Sequence, residues 1–136
     1  MTRTVVLDAS AALVLLIDPG PVGEHVATRL DGAAVVAPDL LPYEVTNVLR
    51  RHRNAGRLSD AEARLALDGL HSLSIDLWSH AVLADRVWSL GANLSAYDAA
   101  YVALAEKLGA VLLTGDKRIA GAPGVTPTIE VVAPER

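Results

Sequence analysis

Short apolar runs alternate along the chain with longer segments in which apolar residues recur at helical spacing. The runs predict five strands: Thr4–Leu7, Ala34–Ala37, Ser74–Trp78, Val111–Thr114 and Ile129–Val132. The longer segments predict six helices: Ala9–Ile17, Val22–Leu30, Asp39–Asn54, Ser59–Leu73, Ser79–Leu90 and Ser95–Leu108. Strands that alternate with helices predict a mainly parallel sheet with helices on both faces.

Capping residues mark several of these helix boundaries. Asp39 is the predicted N-cap of the third helix, and Ser95 is the predicted N-cap of the last. Ser59 and Glu62 have the spacing of a capping box. Gly109 is the predicted end of the last helix, because glycine readily adopts the left-handed conformation that often follows a helix.

The size and composition of the chain favour one globular domain over residues 1–136. Hydrophobic residues make up 51% of the chain and charged residues 21%, a balance that excludes intrinsic disorder. The absence of cysteine excludes a disulfide scaffold, a zinc–thiolate site and a cysteine nucleophile. The longest apolar run, Ala9–Ile17, is far shorter than the roughly 20 residues of a membrane helix. We therefore expect a cytoplasmic protein with no membrane partner.

Four acidic residues fall where the predicted sheet would bring them together. Asp8 follows the first strand directly, and Asp116 follows the fourth strand after one glycine. Glu44 and Asp98 lie in the first turns of predicted helices. Because the carboxyl ends of parallel strands share one edge of a sheet, we expect all four acids at a common rim.

Carboxylates at close range repel one another strongly in a cleft of low dielectric. Such a cluster is stable at neutral pH only when some groups are protonated or a cation neutralises them. Oxygen ligands suit Mg²⁺, or Mn²⁺ as a substitute, and carboxylate-bound Mg²⁺ commonly serves phosphodiester hydrolysis. Taken singly, each acid also fits a structural role as a helix cap, a partner of a helix dipole or a turn residue.

Three polar residues near the acids give weaker signals. Ser10 and Thr114 each lie two residues from an acid, and their hydroxyls could hold a carboxylate or a metal-bound water, although helix capping and strand propensity also account for them. Asn47 lies one helical turn after Glu44, where it could orient that side chain or remain a solvated amide.

The charge distribution neither requires nor excludes a nucleic-acid partner. The formal net charge is −4, without the basic surplus that many nucleic-acid binders carry. Arginines at 50–57 fit a solvated helix end as well as a phosphate contact, whereas Lys117 and Arg118 adjoin the predicted site. Aromatic residues make up only 4% of the chain, so we expect no platform for stacking single-stranded bases.

Four blocks of the sequence resemble, in order and spacing, those of PIN-domain ribonucleases of the VapC type, the toxins of toxin–antitoxin pairs. The blocks are Val5–Ala12 (VVLDASAA), Ala37–Arg51 (APDLLPYEVTNVLRR), Leu94–Leu104 (LSAYDAAYVAL) and Val111–Ile119 (VLLTGDKRI). Each block contains one of the four acids. One departure is Ile119, which stands where an aromatic residue is common in the family.

This resemblance implies a three-layer α/β/α fold around a five-stranded, mainly parallel sheet. It implies a catalytic set with two direct Mg²⁺ ligands, Asp8 and Asp98, completed by Glu44 and Asp116. Ser10 and Thr114 match the supporting hydroxyl positions. The implied partners are an RNA substrate, a second copy in a homodimer, and a cognate antitoxin that forms a hetero-oligomer and presents an arginine to the acidic groove.

Three other functions are compatible with parts of the pattern. A phosphatase could use Asp8 as its nucleophile, but the haloacid-dehalogenase-like version has a second aspartate where this chain has Ser10. A receiver-like signalling domain has paired acids near the end of the first strand, where only Asp8 is present. The third is a non-catalytic PIN module that binds RNA or a protein.

Overall fold

The computed structural model describes residues 2–132 and contains all five predicted strands. The strands are β1 (Thr4–Leu7), β2 (Ala34–Pro38), β3 (Ile75–Trp78), β4 (Val111–Thr114) and β5 (Ile129–Val131). They form one sheet in the order β3-β2-β1-β4-β5, and every neighbouring pair is parallel. The predicted domain limits, residues 1–136, extend past the described residues at both ends.

Seven helices connect the strands. They are α1 (Ala9–Ile17), α2 (Pro21–Leu30), α3 (Leu41–Asn54), α4 (Asp60–Ser72), α5 (His80–Ser89), α6 (Ala96–Leu108) and α7 (Lys117–Ala120). Helix α1 contacts α2, α3 and α4, whereas α5 packs against α6, and α6 contacts β1, β2 and β4. The helices flank the sheet, so the predicted α/β/α fold is confirmed. No helix within residues 2–132 combines the length and apolar character needed to span a membrane.

The structure bears out several predicted caps. Ser59 and Glu62 form a capping box, with hydrogen bonds of 3.0 Å and 2.8 Å between side chain and backbone. Ser95 caps α6 by accepting a hydrogen bond from the backbone N–H of Asp98 at 3.1 Å. Gly109 ends the same helix with φ of +59°, in the left-handed conformation predicted for it.

The prediction of Asp39 as the N-cap of α3 is wrong. The N-cap position belongs to Leu40, which has a helical backbone and makes no side-chain capping bond. The backbone N–H of Asp39 instead donates to the carbonyl of Trp78 at 2.9 Å, which continues the pairing of β2 with β3. Asp39 therefore lies in the turn directly after β2, with its N–H bonded to β3, and α3 begins two residues later.

The first strand and the last long helix form the centre of the core. Val6 and Leu7 of β1 have no exposed surface, and the same is true of Val102 and Leu104 of α6. Burying apolar side chains of this size contributes about 1.5–3 kcal/mol each. The acids at the carboxyl edge of β1 and at the start of α6 are therefore attached to elements with fully buried core residues.

Candidate active site

The four predicted acids meet in one cleft at the carboxyl edge of the sheet. Asp8 follows β1, Asp116 follows β4 one residue later, and the other two acids stand in the first turns of α3 and α6. The cleft has a volume of about 410 Å³. Its lining residues are Asp8, Ala9, Ser10, Leu13, Glu44, Asn47, Val48, Arg51, Asp98, Tyr101, Asp116 and Arg118.

Asp8 is the most deeply buried acid of the cleft, and all its hydrogen-bond donors are neutral. Its Oδ1 accepts from the Ser10 hydroxyl at 2.7 Å and from the backbone N–H of Ala11 at 2.9 Å, and its Oδ2 accepts from the Thr114 hydroxyl. Burial raises the pKa of Asp8, and the negative charge of Asp98 adds to this, although the three hydrogen bonds act in the opposite direction.

The Ser10 and Thr114 hydroxyls also join the two strand ends. Ser10 Oγ accepts the backbone N–H of Gly115 at 2.8 Å, and Thr114 Oγ1 accepts the backbone N–H of Asp116 at 3.0 Å. A Cβ at residue 115 would lie 3.2 Å from Ser10 Oγ and 3.3 Å from the carbonyl oxygen of Val132, so glycine permits this close approach. Each hydroxyl therefore orients Asp8 and fixes the turn that carries Asp116.

Glu44 is held by a residue that sequence reasoning missed. The hydroxyl of Tyr101 donates to Glu44 Oε1 at 2.5 Å. Burial raises the pKa of Glu44, and the charges of Asp8 and Asp98 raise it further. Burial and the bond to Glu44 likewise raise the pKa of Tyr101. The one available signal was the position of Tyr101 one turn after Asp98 on the same helix.

Asp98 and Asp116 differ in their access to positive charge. Burial raises the pKa of the half-buried Asp98, and the charge of Asp116 adds to that effect. Asp116 accepts from Arg118 Nε at 3.1 Å and from Arg118 Nη2 at 2.7 Å, and this pair lowers the pKa of Asp116. The side chain of Arg118, a candidate for phosphate contact because it adjoins the predicted site, is therefore paired with an acid of the cleft.

The remaining polar candidates are distributed between the cleft and its surroundings. Arg51 lines the cleft, whereas Arg50 and Arg53 line a groove between α3 and α4. Asn47 also lines the cleft, but within residues 2–132 the hydrogen bond to Glu44 comes from Tyr101, not from Asn47.

The donor chemistry of the cleft fits a hard divalent cation. The acids offer oxygen ligands only. Their negative charges also act on one another: each of Asp8, Glu44 and Asp98 has a pKa that is raised in part by the charge of another acid of the cleft. In the described part of the chain, however, no three acidic or histidine side chains stand ready as a ligand set for one ion. Three of the four acids accept hydrogen bonds from neighbouring groups of the protein: Asp8, Glu44 and Asp116.

Comparison with known proteins identifies the family. The sequence pattern of the PIN domain matches residues 5–125. Ribonuclease VapC9 of Mycobacterium tuberculosis is 39% identical over 115 residues, which cover 85% of this chain and 87% of that protein. The crystal structure of PAE2754 from Pyrobaculum aerophilum superposes with a TM-score of 0.66 at 26% identity, covering 93% of this chain and 92% of that one.

A second solved structure shares the fold alone. Mycobacterium tuberculosis VapC20, described as a sarcin-ricin loop cleaving toxin, has a TM-score of 0.66 at 17% identity. The superposition covers 90% of this chain and 96% of that one.

The segment that matches the PIN-domain pattern, residues 5–125, includes all four acids of the cleft. This chain therefore belongs to the PIN-domain family and, within it, to the VapC ribonucleases.

Proposed function

We propose that this protein is a metal-dependent endoribonuclease toxin that cleaves cellular RNA in the cytoplasm and is neutralised by a cognate antitoxin. The observation that carries the proposal is the convergence of Asp8, Glu44, Asp98 and Asp116 on one cleft. Membership of the VapC ribonucleases supports RNA as the substrate. The oxygen-only ligand chemistry supports Mg²⁺, or Mn²⁺, as the cofactor.

Each acid has a proposed role. Asp8 and Asp98 would bind the cation directly, and Glu44 and Asp116 would complete its surroundings or position water. The cation, when bound, supplies positive charge that acidifies a nucleophilic water and offsets the charge that develops on the phosphate. Because the reaction is hydrolysis by water, no side chain needs to form a covalent intermediate.

The neighbouring residues prepare the acids for this task. Ser10 and Thr114 fix both oxygens of Asp8, so its orientation is set before substrate binds. Tyr101 does the same for Glu44. Neutral donors can orient a carboxylate without cancelling its charge, which leaves the cluster able to attract a cation. Arg51 would contact a phosphate of the RNA strand from the wall of the cleft.

The antitoxin and the homodimer are proposals that rest on the family resemblance. The pairing of Arg118 with Asp116 supports one feature of the antitoxin proposal, because it shows a guanidinium accommodated at the acidic cleft. An arginine presented by an antitoxin would use the same charge complementarity. Co-expression with the product of the neighbouring gene, followed by affinity purification, tests for a stable complex that suppresses cleavage.

A cleavage assay with matched variants tests the ribonuclease. The wild-type protein is expected to cut labelled RNA with Mg²⁺ and to stop cutting when EDTA removes the metal. Asp98→Asn should lose activity, whereas Asp85→Asn, an exposed acid on α5, should keep it. Undiminished cutting by folded Asp98→Asn would overturn the assigned roles. No cutting of any RNA by wild type with either metal would favour a non-catalytic module.

A further inference from the structure

Two of the three tyrosines in the chain are largely exposed, and each lies one residue before an acid of the cleft. Tyr43 precedes Glu44 and is 81% exposed, and Tyr97 precedes Asp98 and is 64% exposed. They line one groove of about 510 Å³, together with Leu40, Glu44, Thr46, Asn47 and Arg50. The low aromatic content of the chain predicts no stacking platform, yet all three tyrosines lie beside the acids.

The periodicity of α3 explains how the groove and the acidic cleft lie side by side. Tyr43 and Arg50 are seven residues apart, which places them on one stripe of the helix. Glu44 and Arg51 form the adjacent stripe, which faces the cleft. The third stripe, which includes Val45, is buried in the core. The groove and the cleft share Glu44 and Asn47, so they form one continuous surface.

We propose that this groove is a subsite that stacks an unpaired base of the RNA strand between Tyr43 and Tyr97, next to the phosphate to be cut. The inference rests on the proposed ribonuclease function and adds to it a requirement for single-stranded RNA. Aromatic faces bind bases of any sequence, and the charge of Arg50 suits a phosphate two helical turns away. Within residues 2–132, Arg50 forms no ion pair that would compete with that contact.

The lining supplies the groups that bind a nucleotide. The groove combines two exposed rings with an arginine, a threonine hydroxyl and an asparagine amide, which are groups that recognise base, phosphate and sugar. It also adjoins the acidic cleft through Glu44 and Asn47, so a strand that leaves the cleft on this side passes the two rings.

Binding measurements with variants of the two tyrosines test the subsite. In an Asp98→Asn background, which prevents cleavage, fluorescence anisotropy measures the affinity for labelled single-stranded oligoadenylate. Replacing both tyrosines with alanine should weaken binding about tenfold or more, since stacking on one aromatic ring contributes substantially to affinity. Replacing both with phenylalanine should restore nearly full affinity. Trp88→Ala, which removes an 88% exposed ring on α5, should change nothing.

An abasic ribose–phosphate oligomer of the same length separates stacking from phosphate binding. The alanine pair and the unsubstituted background should bind this oligomer equally. If the alanine pair and the background bind oligoadenylate with equal affinity, the subsite is overturned. It is also overturned if the alanine pair loses as much affinity for the abasic oligomer as for oligoadenylate. The alanine pair could also differ from the unsubstituted background in molar mass, measured by light scattering, while binding RNA equally well. That result would overturn the subsite and assign the rings to a protein contact.

The outcomes distinguish this proposal from the function on which it rests. If wild type cuts RNA and the tyrosines do not affect binding, only the subsite fails. If wild type cuts no RNA but the tyrosine variants lose affinity for oligoadenylate and not for the abasic oligomer, the subsite stands as an RNA-binding site. In that case the hydrolytic function fails.

Discussion

Asp8 and Asp116 have the same position in the fold but opposite electrostatic surroundings. Each follows one of two adjacent parallel strands, β1 and β4, and each caps the helix that comes next. Asp8 is buried and held by two hydroxyls and a backbone N–H, whereas Asp116 is paired with the guanidinium of Arg118. The pKa of Asp8 is raised and that of Asp116 is lowered.

The comparison shows that orienting a carboxylate and neutralising it are separate tasks. Folding favours the protonated form of Asp8, so its ionised form is a cost to stability that disappears as pH falls through its pKa. Folding favours the ionised form of Asp116, so the stabilisation from its ion pair is lost as pH falls. Within residues 2–132, the Asp116 side of the cleft has a cationic partner in Arg118, whereas the hydrogen bonds to Asp8 come from neutral donors.

Replacing each aspartate with asparagine should reveal the largest difference between Asp8 and Asp116 in the rate of RNA cleavage. We expect Asp8→Asn to lower kcat/KM by roughly a hundredfold or more, because the cation loses a direct ligand. Asp116→Asn should lose about tenfold, because Arg118 already offsets much of its charge. Both are measured with labelled RNA and Mg²⁺, with circular dichroism as the control for folding. Equal losses would show that the two acids act alike.

Removing a hydroxyl next to Asp8 should affect stability more than removing the ion pair of Asp116. Thr114→Val keeps the side-chain shape but leaves a buried carboxylate oxygen and the backbone N–H of Asp116 without a partner. We expect a loss of about 1–3 kcal/mol in the free energy of unfolding, measured in urea. Thr114→Ser, which retains the hydroxyl, is the control. A stability within error of wild type for the valine variant would contradict the proposed orienting role.

The sequence predicts the part of the site that depends on chain order and strand direction. Parallel strands place their carboxyl ends at one edge, and this alone brings Asp8 and Asp116 together from opposite ends of the chain. Ser10 and Thr114 could be singled out because they lie two residues from these acids. The sequence could not show that both hydroxyls bond to Asp8, because Thr114 is 106 residues away from it.

The sequence predictions failed where a feature depends on contacts distant in sequence or is too short to show a pattern. Asp39 is a residue type that commonly caps helices, but its backbone N–H bonds to the carbonyl of Trp78 in β3, and it lies in the turn before α3. Tyr101 donates to Glu44 across 57 residues of chain. Helix α7 has only four residues, too few for a periodic pattern, and it begins where Asp116 accepts the backbone N–H of Arg118.

If Mg²⁺ binds at Asp8 and Asp98 as proposed, adding it should stabilise the folded protein. At ten times its dissociation constant, a ligand raises the free energy of unfolding by about 1.4 kcal/mol, which is a few degrees in Tm for a domain of this size. We expect this shift in a thermal scan of wild type and little shift for Asp98→Asn. Asp85→Asn is the matched control, and it should respond like wild type. An equal shift in Asp98→Asn would place the bound ion elsewhere.

The smallest expected effect tests whether Arg118 competes with the cation. Its side chain is 86% exposed, and exposed ion pairs contribute little to stability, so Arg118→Gln should hardly change the stability of the fold. Freeing Asp116 from this pair should lower the Mg²⁺ concentration for half-maximal cleavage about threefold, measured at saturating RNA. Arg57→Gln, an exposed arginine just after α3, is the control and should leave that concentration unchanged. If Arg118→Gln leaves the Mg²⁺ requirement unchanged and raises KM for RNA, the guanidinium serves the substrate, and the two sides of the cleft differ less than their pKa values indicate.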